Sequence, residues 1–165
     1  WAVSSRFAGS GSWTLLPRPA LWDCSLMEAI ERTQPLSGVA LIDLDGTLVA
    51  QSAPVNQLVG ADGPSGEAIS MLADRVSLIV TNRRSAPASL RGIPVMSRAR
   101  KPWTSKAKLT VRGEPPGCVI GDQLFTDGLL AARLGVPFYR VTPIGRRPWR
   151  ARLGDRLLER AFGEE

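Results

Sequence analysis

Apolar residues in this chain gather in short runs that end on polar or turn-forming residues, and these runs alternate with stretches of helical spacing. The runs Val39 to Asp43, Val76 to Thr81, Ile93 to Met96, Cys118 to Gly121 and Pro137 to Val141 predict strands. Gly66 to Ala73, Trp103 to Val111 and Phe125 to Leu134 predict helices between them, with a further short helix at Ser25 to Thr33. Strand and helix in alternation imply an α/β fold, a Rossmann-like parallel sheet flanked by helices on both faces. Ala50 to Pro64, between the first strand and its helix, is too short for an inserted cap domain. It reads as a loop or flap, and the edge beside it is expected to be open.

Three parts follow from this pattern. Residues 1–38 form a lead-in rich in Gly, Ser, Pro and Trp, with disorder expected over residues 1–12. Residues 39–145 form the α/β core. Residues 146–165 form a basic amphipathic C-terminal helix, which from Trp149 to Phe162 gathers Leu153, Leu157, Leu158, Ala161 and Phe162 on one side and Arg152, Arg156 and Arg160 on the other. Such a helix fits peripheral contact with an anionic membrane surface. It equally fits packing on the core, with an outer face laced by Asp155 and Glu159.

Composition narrows the chemistry. The 165 residues contain no histidine, which excludes His-based triads, His zinc sites and imidazole acid/base catalysis. A net charge of +6 and a pI near 10.3 imply attraction to phosphate esters, nucleic acid or acidic lipid. Cys24 and Cys118 are too far apart for a C-x-x-C site, no disulfide is expected, and Cys118 reads as a buried thiol within a strand. No apolar run is long enough to span a membrane, and the N-terminus lacks the layout of a signal peptide, although a chain opening on Trp1 need not start at the native terminus. The expected location is cytoplasmic, with a peripheral place on the inner face of the membrane if the C-terminal helix binds lipid.

The candidate chemistry begins at Asp43-Leu44-Asp45-Gly46-Thr47, two carboxylates at the end of an apolar run. Asp-Gly between apolar residues also signals a hairpin, whereas a calcium loop would need a ligand spacing and a distal Glu that are absent. Thr81-Asn82, Lys101-Pro102 and Gly121-Asp122 follow later strands, and Asp127 opens the next helix. Singly, these residues read as helix caps or solvated charges. If the strands are parallel, they all meet at one sheet edge, where open α/β sheets bind ligands.

In that order the residues resemble the four motifs of the haloacid dehalogenase superfamily, over roughly Val39 to Val141. The resemblance implies a magnesium-dependent phosphatase without a large cap. In that scheme Asp43 is the nucleophile that forms an aspartyl-phosphate, and Asp45 protonates the leaving alcohol and then activates water. Asp43, Asp122 and the backbone carbonyl of Asp45 would hold Mg2+, with Asp127 supporting the site. Thr81 and Asn82 would bind the phosphoryl oxygens, and Lys101 would offset the crowded charge.

The string Gly121-Asp122-Gln123-Leu124-Phe125-Thr126-Asp127, Lys101-Pro102 and Leu15-Leu16-Pro17-Arg18-Pro19 are similar to the capless subfamily IIIA branch that includes bacterial and mitochondrial phosphatidylglycerophosphate phosphatases. Two departures stand out: Gly46 where that branch often has Asn, and Thr81-Asn82-Arg83 in place of a Ser-Asn-Asn type sequence. Arg83, Arg84, Arg98, Arg100, Lys101 and Lys106 make the expected active edge basic, which suits a bulky polyanion such as an anionic phospholipid headgroup. Other phosphatase substrates are a nucleotide, a sugar phosphate, a phosphoprotein or a nucleic-acid end. A basic nucleic-acid-binding module on the same fold is disfavoured, because outside Trp149 the cations lack interleaved aromatics.

Overall fold

The computed structural model describes residues 21–51, 53, 64–146 and 149–163. The expected disorder of residues 1–12, the Leu15 to Pro19 segment and most of the loop between Ala50 and Pro64 lie outside the described residues, as do the side chains of Ala161 and Phe162. The chain runs β1 (Leu21–Cys24), α1 (Leu26–Thr33), β2 (Val39–Asp43), α2 (Pro64–Ala73), β3 (Ser77–Val80), β4 (Ser89–Leu90), β5 (Ile93–Met96), β6 (Pro116–Gly121), α3 (Leu129–Leu134), β7 (Phe138–Val141) and α4 (Trp149–Gly163). Among the described residues seven strands form one sheet in the order β1-β7-β6-β2-β3-β5-β4, parallel throughout except where β4 meets β5. The result is an α/β fold with a mostly parallel sheet.

The apolar run of β2 is buried at all five positions because it lies between β3 and β6, both parallel to it. Its alternate side chains serve two cores. Ala40 and Ile42 join Ala29 and Ile30 of α1 and Ala68, Ile69 and Leu72 of α2. Val39 and Leu41 join Leu130 and Ala131 of α3, Leu109 and Phe138. The chain leaves β2 towards β3 on one side, while β6 on the other leads to β7, so the strand order reverses between β2 and β6. In open sheets that reversal opens a crevice at the carboxyl ends of the strands.

Two strands lie outside the apolar runs. β1 pairs with β7 over four residues, and Trp22 stacks on Tyr139 with ring centroids 5.0 Å apart. β4 is a two-residue strand folded back on β5 through Arg91 and Gly92, both at positive φ (44° and 86°). That double left-handed turn is the kind that joins tight antiparallel strands.

The helix expected over Trp103 to Val111 is reduced to a single 3-10 turn, Lys106–Leu109. Thr104 gives its hydroxyl hydrogen to the Ala99 carbonyl, Ser105 makes no side-chain cap, and Val111 bridges to Glu114 instead of continuing the turn. The helix expected over Phe125 to Leu134 is divided into a wide π-helical turn, Leu124–Gly128, and α3. Cys118 is buried as expected, and burial pushes its thiol up to about 11. Both cysteines are free.

The C-terminal helix forms, but its faces differ from the expected ones. Asp155, expected on the outer face, is 2% exposed and accepts the Phe125 N–H at 3.0 Å. Arg140 reaches Glu159 at 2.6 Å and Asp155 at 3.8 Å, and Leu158 packs on the second core. Leu153 and Leu157 instead point outward, 51% and 59% exposed. The buried acid is stable there because a backbone N–H and a guanidinium meet it.

Phe138 is fully buried at the start of β7 and joins strands to α3. Phe138→Ala is expected to lower the unfolding free energy by about 3–5 kcal/mol, measured by urea denaturation.

Candidate active site

Asp43 closes β2 at the carboxyl end of the sheet, 5% exposed, and its Oδ1 accepts the Leu44 N–H at 2.7 Å. Asp122 follows β6, and Asp127 sits in the π-helical turn; both are fully buried. One carboxylate oxygen from each of Asp43, Asp122 and Asp127 lies within 4.8 Å of the other two. The Lys101 ammonium donates to Asp43 Oδ1 and to Asp127 Oδ1, each at 2.6 Å. Four residues from three separate chain segments thus meet at one buried point.

Glycine makes that closeness possible. A Cβ at Gly46, whose φ is 83°, would come within 2.6 Å of Asp122 Oδ2. A Cβ at Gly121 would collide with the Asp127 carboxylate. Gly46 is therefore required twice, by its left-handed backbone and by the acid beside it.

Lys101 is delivered by backbone contacts. The Thr81 N–H donates to the Met96 carbonyl, the Ala99 N–H to the Thr81 carbonyl and the Arg98 N–H to the Arg83 carbonyl, which ties the loop after β3 to the loop after β5. Asn82 accepts the Lys101 N–H at 2.7 Å and donates to the Lys101 carbonyl at 3.4 Å. Sequence alone points Asn82 at a substrate; in the structure its amide holds the backbone of the lysine. No local pattern signals this, because the partner lies 19 residues away.

Asp45 stands apart from the three acids. Its carboxylate accepts both oxygens' worth of contact from Arg83, with Nε at 2.9 Å from each, and the Thr81 hydroxyl reaches Oδ2 at 3.2 Å. Arg83 also donates to the Ala53 carbonyl at 2.7 Å. Arg83, read from sequence as a substrate contact, is thus engaged with the second acid of the Asp43-Leu44-Asp45 motif. Arg84 does border open space: with Asn82, Arg98 and Arg100 it lines a cleft of about 490 Å3.

The electrostatics follow from burial. Loss of water, then the neighbouring Asp127 carboxylate, pushes Asp43 up to about 8, although Lys101 pulls the other way. Burial works against the charge on Lys101, but Asp127 and Asp43 together hold it above the ordinary lysine range. Three acids share one ammonium in a space largely closed to water, and the upward shift of Asp43 reflects the cost of charging all of them there. Hard oxygen donors in that number and proximity suit a divalent cation such as Mg2+, which takes carboxylate ligands and restores the balance.

Comparison with protein-family models, with curated proteins and with solved structures gives no match to this chain.

Lys101→Met leaves the buried acids without their ammonium. Urea denaturation in chelator is expected to show a loss of about 3–5 kcal/mol. A loss below about 1 kcal/mol would contradict the buried geometry.

Proposed function

We propose that the protein is a magnesium-dependent phosphomonoesterase of the haloacid dehalogenase type, with helices covering both faces of its sheet. The observation that carries this reading is the convergence of Asp43, Asp122, Asp127 and Lys101 at the carboxyl end of the central strands. Buried acids without a chemical task are costly, and a site of this composition suits an anion held beside a cation.

In this reading an Asp43 oxygen attacks phosphorus, the bond from phosphorus to the ester oxygen breaks, and an aspartyl-phosphate forms. Asp45 gives the leaving oxygen its proton, then takes one from the water that attacks the acyl phosphate, releasing inorganic phosphate and restoring Asp43. The Arg83 contacts favour Asp45 as a carboxylate, the form needed to accept a proton from water. Donating a proton in the first step then calls for Arg83 to move towards the phosphoryl oxygens. Asp43, Asp122 and Asp127 would hold Mg2+ with the Asp45 backbone carbonyl; when bound, it neutralises phosphoryl charge and aligns the ester for attack. Lys101 fixes Asp43 and limits repulsion between it and the incoming ester.

The substrate in this reading is polyanionic, and the headgroup of phosphatidylglycerophosphate is our first choice. Supporting it is the arginine-lined cleft beside Asn82, which offers a place for a second anionic group near the reacting one.

Phosphate release from phosphatidylglycerophosphate in mixed micelles, compared with nucleotides, sugar phosphates, phosphopeptides and phosphorylated nucleic-acid ends, tests both levels. Magnesium-dependent turnover of the lipid, abolished by chelator and reduced by about three orders of magnitude or more in Asp43→Asn, is expected. Turnover of soluble esters alone would keep the mechanism and remove the lipid; no turnover of any ester would remove the enzyme reading.

Separately from turnover, Mg2+ is expected to raise the thermal midpoint of the wild type and to have little effect on Asp122→Asn, measured by differential scanning fluorimetry.

A further inference from the structure

No helix among the described residues is long and apolar enough to cross a membrane. α4 nevertheless turns a row of apolar side chains outward. Leu153 and Leu157 are 51% and 59% exposed, and Trp149, one turn earlier on the same row, is 62% exposed. Spaced by four residues, the three form a ridge along the helix. Arg152, Arg156 and Arg160, all exposed, repeat at the same spacing as a second row alongside it. The opposite side of α4 is committed inward by Asp155 and Leu158.

The helix that carries the ridge is joined to the candidate active site through its inward side. Asp155 accepts the N–H of Phe125, in the turn that carries Asp127. On the approach to α4, the Ile144 N–H donates to the Gly46 carbonyl at 2.7 Å. Phe125, in the π-helical turn after β6, and Ile144, in the loop after β7, are themselves 49% and 37% exposed.

We propose that α4 is a docking surface for an anionic lipid bilayer, with Leu153 and Leu157 entering the headgroup and acyl boundary while Arg152, Arg156 and Arg160 meet lipid phosphates. Charge selects this occupant. A second copy joined ridge to ridge would bring two arginine rows together, whereas an anionic surface neutralises the row and receives the apolar one. Long arginine side chains can lay their stems on the apolar boundary and keep their guanidinium groups at phosphate level. Nucleic acid would pair with the arginines but gain little from the leucines between them.

The surface does not depend on the phosphatase reading, so binding is measured apart from turnover. Full-length protein and Asp43→Asn are sedimented with phosphatidylcholine vesicles with and without phosphatidylglycerol. Both are expected to bind only the anionic vesicles and to dissociate at high salt. Leu153→Asn with Leu157→Asn is expected to weaken binding at least about ten-fold. Each of Arg152→Gln, Arg156→Gln and Arg160→Gln should weaken it by about five-fold, and Leu21→Asn, at the start of β1, should leave it unchanged. Circular dichroism confirms that each variant is folded. Absence of binding by folded wild type, or binding indifferent to the leucine pair, overturns the proposal. A dimer in size-exclusion chromatography that the leucine pair abolishes would assign the ridge to a second copy, and duplex or single-stranded nucleic acid displacing the protein from vesicles while binding wild type and leucine pair equally would assign the arginines to that ligand; either result overturns the lipid assignment.

Discussion

A lysine removed from water with a carboxylate on each side holds its charge only while both acids stay in place, and the acids are equally dependent on the lysine. Here the Lys101 ammonium lies 2.6 Å from Asp43 and 2.6 Å from Asp127, and all three side chains are nearly or fully buried. Coulomb attraction in so closed a space is strong, but desolvation of the same charges opposes it. The net gain in stability is therefore small. The larger consequence is geometric, because any displacement that uncovers one partner leaves the others charged and alone. The end of β2, the loop after β5 and the turn after β6 are in this way required to meet at one point.

Much of the surrounding structure serves that requirement. Asn82 spends both ends of its amide on the Lys101 backbone. The residues leading to Lys101 include Arg98 at φ 50° and Arg100 at φ 59°, left-handed conformations unfavourable for arginine. Such conformations persist where neighbouring bonds over-determine the path. The bonds from Arg98 N–H to Arg83 and from Ala99 N–H to Thr81 do so here. On the opposite side the π-helical turn widens the chain between Asp122 and Asp127, and Asp155 of α4 fixes that turn through the Phe125 N–H. The C-terminal helix is thereby coupled to the acidic centre without touching it.

Strands buried on both faces were legible because their apolar runs are continuous: β2, β3, β5, β6 and β7 lie within or close to the expected segments. So were the residues that meet at the site, since parallel strands send their carboxyl ends to one edge. What sequence could not supply was anything dependent on a distant partner. β1 is a strand because β7 lies beside it, and its own four residues are mostly exposed. The turn of Asn82 towards Lys101 and of Arg83 towards Asp45 depends on loops brought together only by the sheet. On α4, helical spacing gave one apolar face; the choice between Leu158 and Leu153 as the inward residue was made by Asp155, whose burial next to Phe125 and Arg140 rotates the helix.

The charge of the molecule is arranged in opposition: acid buried inside the candidate site, arginine lining the cleft beside Asn82. Three acids buried together resist being charged at once, as the upward shift of Asp43 shows, and once charged they would repel a phosphate ester more than Lys101 alone offsets. In the proposed reading, the cleft lined by Arg84, Arg98 and Arg100 offers cations to an incoming ester, where attraction is screened but still favourable. Under the proposed chemistry the same acids that repel the ester are those that would retain Mg2+, so the repulsion becomes attraction once the cation is bound. A strongly basic protein with an acidic centre is then consistent. Under that reading the rim would gather anions, the centre would gather a cation, and the two would meet at Asp43.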